Sequence, residues 1–147
     1  MSKVFTVGVF DLYHFGHLRL FKRAKELALQ NDFNGKLIVG VQSDDSILKY
    51  KPNAKIVYST SIRLEMVETC KYVDEAIIYR DIDIDIKNVD FDIFIVGGDQ
   101  NHEGFLRAIE WAKNNGKKVV RLDRTNGISS SQLRTEDVQS AVKKLNI

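Results

Sequence analysis

The chain has 147 residues, 44% hydrophobic and 29% charged, enough for one domain that buries its own core without disulfide or metal staples. Its 22 basic and 20 acidic residues leave a net charge of +2, too balanced to point to nucleic acid as a partner. No apolar run reaches the length of a membrane span, Met1-Ser2-Lys3 does not open a secretory leader, and the single cysteine forms no intrachain disulfide; together these lead to the expectation of a cytoplasmic protein.

In chain order, Val4 to Phe10 is a short β-branched run, as in a buried parallel strand. From His17 the apolar residues Leu18, Leu20, Phe21, Ala24, Leu27 and Ala28 recur at helical spacing up to Asn31. Asn34-Gly35 marks a turn, and Leu37 to Val41 reads as a second buried strand. Ser43 to Lys55 reads as a polar loop carrying the only proline, Pro52, among Lys49, Lys51 and Lys55. A helix is predicted over Ser61 to Tyr72 with Ile62, Met66, Val67 and Cys70 inward, which makes Cys70 a buried structural thiol. Asp81 to Ile86 alternates acid and isoleucine, the pattern of a half-buried strip with a solvated acidic face.

Strands follow at Glu75 to Tyr79, Ile93 to Val96 and Lys118 to Leu122. Between the last two, Phe105, Leu106, Ile109 and Trp111 belong to a helix ending near Asn115-Gly116. A final helix is predicted from Ser129, capped with Gln132, to about Leu145. There is no internal repeat or linker, so residues 1–147 read as a single domain. Alternating strands and helices imply an α/β, Rossmann-like fold: an open, parallel, five-stranded sheet with helices on both faces. Ligands of such folds bind beyond the carboxyl ends of the strands. The segments after Phe10, Gln42, Val96 and Leu122 therefore share one rim, and the polar clusters of this chain lie there.

The first cluster, Gly8-Val9-Phe10-Asp11-Leu12-Tyr13-His14-Phe15-Gly16-His17, runs from a strand through a turn into a helix. Two of the three histidines flank Gly16 at a helix N-terminus, where N–H groups and the dipole favour an anion. Gly16 lets a phosphate approach the backbone, and His14 and His17 can donate hydrogen bonds to it. The second cluster, Arg124-Thr125-Asn126-Gly127-Ile128-Ser129-Ser130-Ser131, puts a permanent cation beside hydroxyls at another helix start. The third, Val96-Gly97-Gly98-Asp99-Gln100, brings glycines directly after a strand, allowing close approach of a ligand.

Gly-x-Phe-Asp-x-x-His-x-Gly-His after the first strand resembles the signature of the nucleotidyltransferase superfamily with the His-x-Gly-His motif. Arg124 to Ser131 is similar to the Arg-Thr-x-Gly-Ile-Ser-(Thr/Ser)-(Thr/Ser) motif of bacterial cytidylyltransferases. Arg63-Leu64-Glu65-Met66-Val67 and Tyr72-Val73-Asp74-Glu75 look like the same family's helix-to-strand passage, in its glycerol-3-phosphate and choline- or ethanolamine-phosphate branches.

This resemblance implies transfer of CMP from CTP to a small phosphorylated alcohol, glycerol 3-phosphate first, giving CDP-glycerol and pyrophosphate. It implies catalytic roles for His14, His17, Lys49 and Arg124, and a nucleotide pocket of Val9, Phe10, Gly16, Gly98, Asp99, Thr125, Ile128, Ser129 and Ser130. Asp11, Lys51 and Arg63 fall on the acceptor side, Asp11 as an orienter of the loop. Mg²⁺ held mainly by the triphosphate, no resident metal ligands and a homodimer are further implications, with no nucleic-acid or membrane partner. Two features depart from the glycerol-3-phosphate branch: Gln100 stands where an aromatic is expected, and the Asp81-Asp83-Asp85 strip stands where a tryptophan and a lysine are expected. An acidic acceptor pocket would favour a cationic alcohol such as ethanolamine phosphate. Gly97-Gly98-Asp99 keeps an ATP-using sugar-phosphate adenylyltransferase in view, and a non-catalytic nucleotide-binding module is the reading furthest from these.

Overall fold

Strand β1 (Lys3–Gly8) lies at the centre of the sheet and is apolar on both faces, because helices cover both. The computed structural model describes residues 2–30, 32–97, 100 and 102–122. With β2 (Lys36–Gln42), β3 (Glu75–Tyr79), β4 (Ile93–Gly97) and β5 (Lys118–Leu122), β1 forms one all-parallel sheet in the order β3-β2-β1-β4-β5. Helix α1 (Phe15–Leu29) joins β1 to β2, α2 (Asp44–Tyr50) and α3 (Thr60–Glu68) join β2 to β3, and α5 (Glu103–Asn114) joins β4 to β5. Between β3 and β4 the chain returns across the sheet through α4 (Ile82–Asp85) and a 3-10 turn, Ile86–Asn88. The strand order thus reverses between β1 and β4, and the crevice at that switch point is where such folds hold ligands.

Alternate residues of the strands feed two cores. On one face Phe5, Val7, Ile38, Tyr79, Phe94 and Val96 pack on Ile82, Ile86, Phe105, Ala108 and Ala112 of α4, α5 and the turn between. On the other face Val4, Leu37, Val39, Val41 and Ile95 pack on Phe21, Ala24 and Ala28 of α1 and Val67 of α3. Among the described residues no helix is long and apolar enough to cross a membrane.

The five expected strands are present, with β1 ending at Gly8 rather than Phe10, because Phe10 turns to φ +56°. Other expectations need correction. The segment read as a polar loop contains α2, short and polar, with the Ser43 hydroxyl accepting from Ser46 N–H and Asp44 and Asp45 at the positive end of the helix. The helix read over Ser61 to Tyr72 is α3, and its buried positions are Arg63 and Val67, whereas Ile62 is 45% exposed. Cys70 lies beyond α3 and is half-buried, in a cleft wall with Tyr13, Leu18 and Met66. The Asp81 to Ile86 strip is helical rather than alternating: Ile82 and Ile86, four residues apart, are buried and Ile84 points outward. The final helix from Ser129, and with it Arg124, Thr125, Ile128, Ser129 and Ser130, lies outside the described residues, as do Gly98 and Asp99.

Gly40 marks where this packing is tightest. A Cβ there would stand 2.8 Å from Val7 Cγ1 and 3.1 Å from Tyr79 Cδ1, so the bare backbone of β2 lets the Tyr79 ring lie across the sheet. Gly40→Ala is therefore expected to destabilise the fold by about 1–3 kcal/mol in urea unfolding, the range for overpacking a filled core; a neutral effect would show that the Tyr79 ring moves aside.

Candidate active site

The loop leaving β1 is built around two residues in the left-handed region, Phe10 (φ +56°) and Leu12 (φ +49°). Such conformations cost about 1–3 kcal/mol each for residues other than glycine and are held only by surrounding structure. The Phe10 ring folds back over Gly8, where a Cβ would come within 2.8 Å of it, and meets the edges of Phe21 and His17 at 5.1 and 5.2 Å. Phe10 is thereby an anchor of the loop rather than an exposed pocket lining.

His14 caps α1. Its Nδ1 accepts from Gly16 N–H at 3.0 Å, and Nδ1 of His17 accepts from the backbone N–H of His14 at 3.2 Å. This is a capping box made of two histidines. Because each Nδ1 faces an N–H, the proton of each neutral ring belongs on Nε2, so each imidazole is a donor at its far nitrogen. The two rings stack, 3.7 Å between centroids and 20° between planes. Tyr13 backs His17 at 5.7 Å; burial first, then the neighbouring Cys70 thiol, push its phenol pKa up, so it stays neutral.

Two buried charges hold this loop to its neighbours. Asp11, 1% exposed, accepts through Oδ1 from Leu12 and Tyr58 N–H and through Oδ2 from Val57 N–H, at 3.1, 2.9 and 2.7 Å. Arg63, 0% exposed, spends all its donors internally. Nε donates to Tyr58 O (2.9 Å), Nη1 to Val9 O (2.8 Å) and Gln42 O (2.7 Å), and Nη2 to Asp44 Oδ1 (2.5 Å) and Thr60 Oγ1 (3.4 Å). Arg63 does not match the expectation of contact with an acceptor phosphate, because its donors are engaged beneath the rim, whereas Asp11 ties the loop to Val57 and Tyr58 in keeping with an orienting role. Val9, expected in the nucleotide pocket, lies in this knot through its carbonyl.

Lys49 and Lys51 stand at the end of α2. Lys49 Nζ is 3.3 Å from Asp81 Oδ1, and the Tyr50 hydroxyl donates to the same oxygen at 2.6 Å. The Tyr50 ring stacks on His102 at the start of α5, 5.8 Å away. His102 has its pKa held below the ordinary value by burial, then by Arg107 and Lys51, so it is a neutral ring near neutral pH. Asp83 pairs with Arg107 at 2.8 Å, and Asp85 accepts from the N–H groups of Arg80 and Asp81. The three aspartates are thus partly covered and partnered rather than a bare solvated face. Gln100, in place of an aromatic, is a brace across the switch point: Oε1 accepts from Gly97 N–H at 2.8 Å and Nε2 donates to Val7 O at 3.1 Å.

His14, Gly16 and His17 therefore converge as expected, with Asp11 and Arg63 beneath them. Lys49 and Lys51 occupy a second segment of the rim. Sequence reasoning missed Tyr50, Asp44 and His102. Asp44 had a signal in Ser43-Asp44-Asp45 straight after a strand, the mark of a helix start. Tyr50 and His102 had none, since only the crossover brings α2 against α5.

Comparison with known proteins shows the family and the fold. Residues 5–136 match the family model described as cytidylyltransferase-like. The chain is 34% identical over 140 residues to glycerol-3-phosphate cytidylyltransferase of Bacillus subtilis (strain 168), covering 92% of this chain and 97% of that one. It is 32% identical to FAD synthase of Korarchaeum cryptofilum (strain OPF8), covering 89% and 88%. Among solved structures, the lipopolysaccharide core biosynthesis protein of Thermoplasma volcanium GSS1 superposes with a TM-score of 0.68 at 28% identity, over 86% of this chain and 99% of that one.

The Arg63 knot has a measurable consequence. Arg63→Met is expected to cost about 3–5 kcal/mol in chemical unfolding, because it strips partners from buried carbonyls and from Asp44. Arg63→Lys, with three donors for five acceptors, should recover only part of the loss; full recovery would mean the charge alone matters.

Proposed function

The chain belongs to the cytidylyltransferase-like family, and from that premise we propose that it transfers CMP from CTP to glycerol 3-phosphate, releasing pyrophosphate and forming CDP-glycerol. The observation that carries the reading is the stacked His14–His17 pair at the N-terminus of α1, in the connection that leaves the central strand β1, with its Nδ1 atoms committed to the cap of α1.

In this reading an oxygen of the acceptor phosphate attacks the α-phosphorus of CTP in line. The bond from that phosphorus to the bridging oxygen breaks, and pyrophosphate leaves carrying the electron pair. No covalent intermediate on the protein is needed; alignment and charge stabilisation supply the rate. His14 and His17 donate from Nε2 to oxygens of the α- and β-phosphates as charge builds, helped by the N-terminus of α1. Lys49 neutralises charge between the two substrates, and Lys51 serves the acceptor phosphate. Arg124, Thr125, Ser129 and Ser130 bind the triphosphate, while Gly16, Gly98, Asp99 and Ile128 admit the nucleotide. Mg²⁺, if it enters with the triphosphate, would supply further charge neutralisation. Asp11, whose carboxylate oxygens both accept backbone N–H groups, is not its ligand in this reading.

Two observations favour a neutral alcohol phosphate over a cationic one. The similarity to glycerol-3-phosphate cytidylyltransferase runs over most of both chains. In addition, Asp83 and Asp85 already hold Arg107 and two backbone N–H groups, so a substrate ammonium at either would have to displace an existing partner. A homodimer working in the cytoplasm, without nucleic-acid or membrane partners, completes the proposal on the strength of the family resemblance.

Pyrophosphate release tests it, with CTP or ATP as donor and glycerol 3-phosphate, ethanolamine phosphate or a sugar phosphate as acceptor. Turnover with CTP and glycerol 3-phosphate is expected, with CTP preferred over ATP by about tenfold or more in kcat/KM. A preference for ATP, or no use of glycerol 3-phosphate, would overturn the assignment. His17→Ala should lower kcat about 100-fold, as loss of one preorganised donor does. His17→Asn, which can keep an acceptor for His14 N–H, separates that loss from damage to the helix cap: its stability should stay near wild type while kcat stays low.

A further inference from the structure

We propose that Asp81 is an internal competitor for Lys49: the carboxylate holds the lysine while the acceptor site is empty and yields it to the acceptor phosphate, with the Tyr50 hydroxyl setting how readily the exchange occurs. The proposal rests on the reading of Lys49 as a phosphate-binding lysine. It makes Asp81 and Tyr50 positioning residues that tune acceptor affinity without touching substrate.

The geometry of one oxygen atom carries it. Asp81 Oδ1 receives two donors, the Tyr50 hydroxyl at 2.6 Å and Lys49 Nζ at 3.3 Å. The first is a short, strong bond for a hydroxyl on a carboxylate, and the second is longer than the roughly 2.7–2.9 Å of a well-made ammonium–carboxylate bond. The Lys49 side chain is 64% exposed, whereas that of Asp81 is 29% exposed. Lys49 also lies 5.3 Å over the Tyr50 ring, and that ring is braced by His102 on its own stack. The acid is fixed from below, since its backbone N–H and that of Arg80 both donate to Asp85 Oδ2. Two neighbouring cations are engaged elsewhere: Arg80 pairs with Asp45 and Arg107 with Asp83.

The arrangement has one immobile acceptor, one tight neutral donor and one loosely held cation on a flexible stem. When Lys49 leaves, Asp81 keeps the tyrosine bond and is not stranded as a bare partly buried charge, which makes the exchange cheap. The Tyr50 hydroxyl first and Lys49 second hold the Asp81 carboxyl below the usual range, so it stays ionised and able to compete near neutral pH. An acceptor phosphate, with more charge and more oxygens than a carboxylate, wins the lysine. An alcohol without a phosphate does not, so the contact also filters acceptors.

The test compares steady-state kinetics of Asp81→Asn, Tyr50→Phe and the double variant with wild type at saturating CTP. Removing the competitor in Asp81→Asn should lower acceptor KM about two- to fivefold, the scale of an exposed ion pair, with kcat changed less than about twofold. Tyr50→Phe should raise acceptor KM by a similar factor, because the carboxylate then relies on Lys49 alone. The double variant should behave as Asp81→Asn, since a missing hydroxyl has no effect once the carboxylate is gone. A purely structural role predicts instead that both single changes weaken acceptor use together, and that result, or a higher KM for Asp81→Asn, would overturn the proposal. Titration of each full-length variant with inorganic phosphate, followed by NMR, should give the same order of affinity, tightest for Asp81→Asn and weakest for Tyr50→Phe. That measurement does not depend on glycerol 3-phosphate being the acceptor. Wild type idle with glycerol 3-phosphate but showing this phosphate ordering would refute the substrate and leave the exchange standing; no ordering in an active enzyme would do the reverse.

Discussion

A buried guanidinium is the constraint on which the rim depends. Arg63 reaches from α3 to the carbonyls of Val9 after β1 and Gln42 at the end of β2, and holds Tyr58, Asp44 and Thr60 in the same fan of donors. A parallel sheet leaves backbone groups unpaired where its strands end, and burying them without partners would cost a few kcal/mol each. Arg63 satisfies two strand ends and the start of two helices with one planar fork, and its charge is matched by Asp44. Asp11 performs the complementary task, accepting the N–H groups of Val57 and Tyr58. The two together lock the chain around 57–58 against the loop after β1.

That lock explains how a strained loop can persist. Phe10 and Leu12 both sit at positive φ, and neither has glycine's freedom there. The strain is held by Phe10 packing over Gly8 and against Phe21 on one side and by the Asp11 clamp on the other. The result is a fixed take-off into α1, where His14 and His17 cap the helix through Nδ1. A histidine used in this way has its tautomer and direction set before any ligand arrives, which is the condition for electrostatic stabilisation without reorganisation.

The other half of the rim is where this chain has its own character. The returning crossover between β3 and β4 carries α4 and three aspartates against α2 and α5, where Lys49, Tyr50, Arg107 and His102 meet them. These contacts lie outside both cores, so they can vary with little effect on the sheet. The core positions the histidine loop after β1; the crossover shapes what sits opposite it.

The sequence by itself determined the five strands, their parallel alternation with helices and the first constellation. Runs such as Val4–Val7 and Leu37–Val41 are apolar without a break because both faces are covered, and the two histidines flanking Gly16 sit at one helix start, so a local pattern contained the whole feature. Helix α2 was hidden by its seven polar-rich residues, too few for a periodicity to emerge, and Asp81 to Ile86 shows a two-residue alternation that Ile82 and Ile86 satisfy equally well at a spacing of four. Only the tertiary structure decided that Arg63 points inward to join five groups and that Tyr50 shares a carboxylate with Lys49. An arginine on a helix reads as exposed because burying its charge is costly, and the partners that make burial tolerable come from residues up to 54 positions away. Such long-range pairing leaves no trace in spacing; it exists only when the folded sheet brings the ends of β1 and β2 side by side.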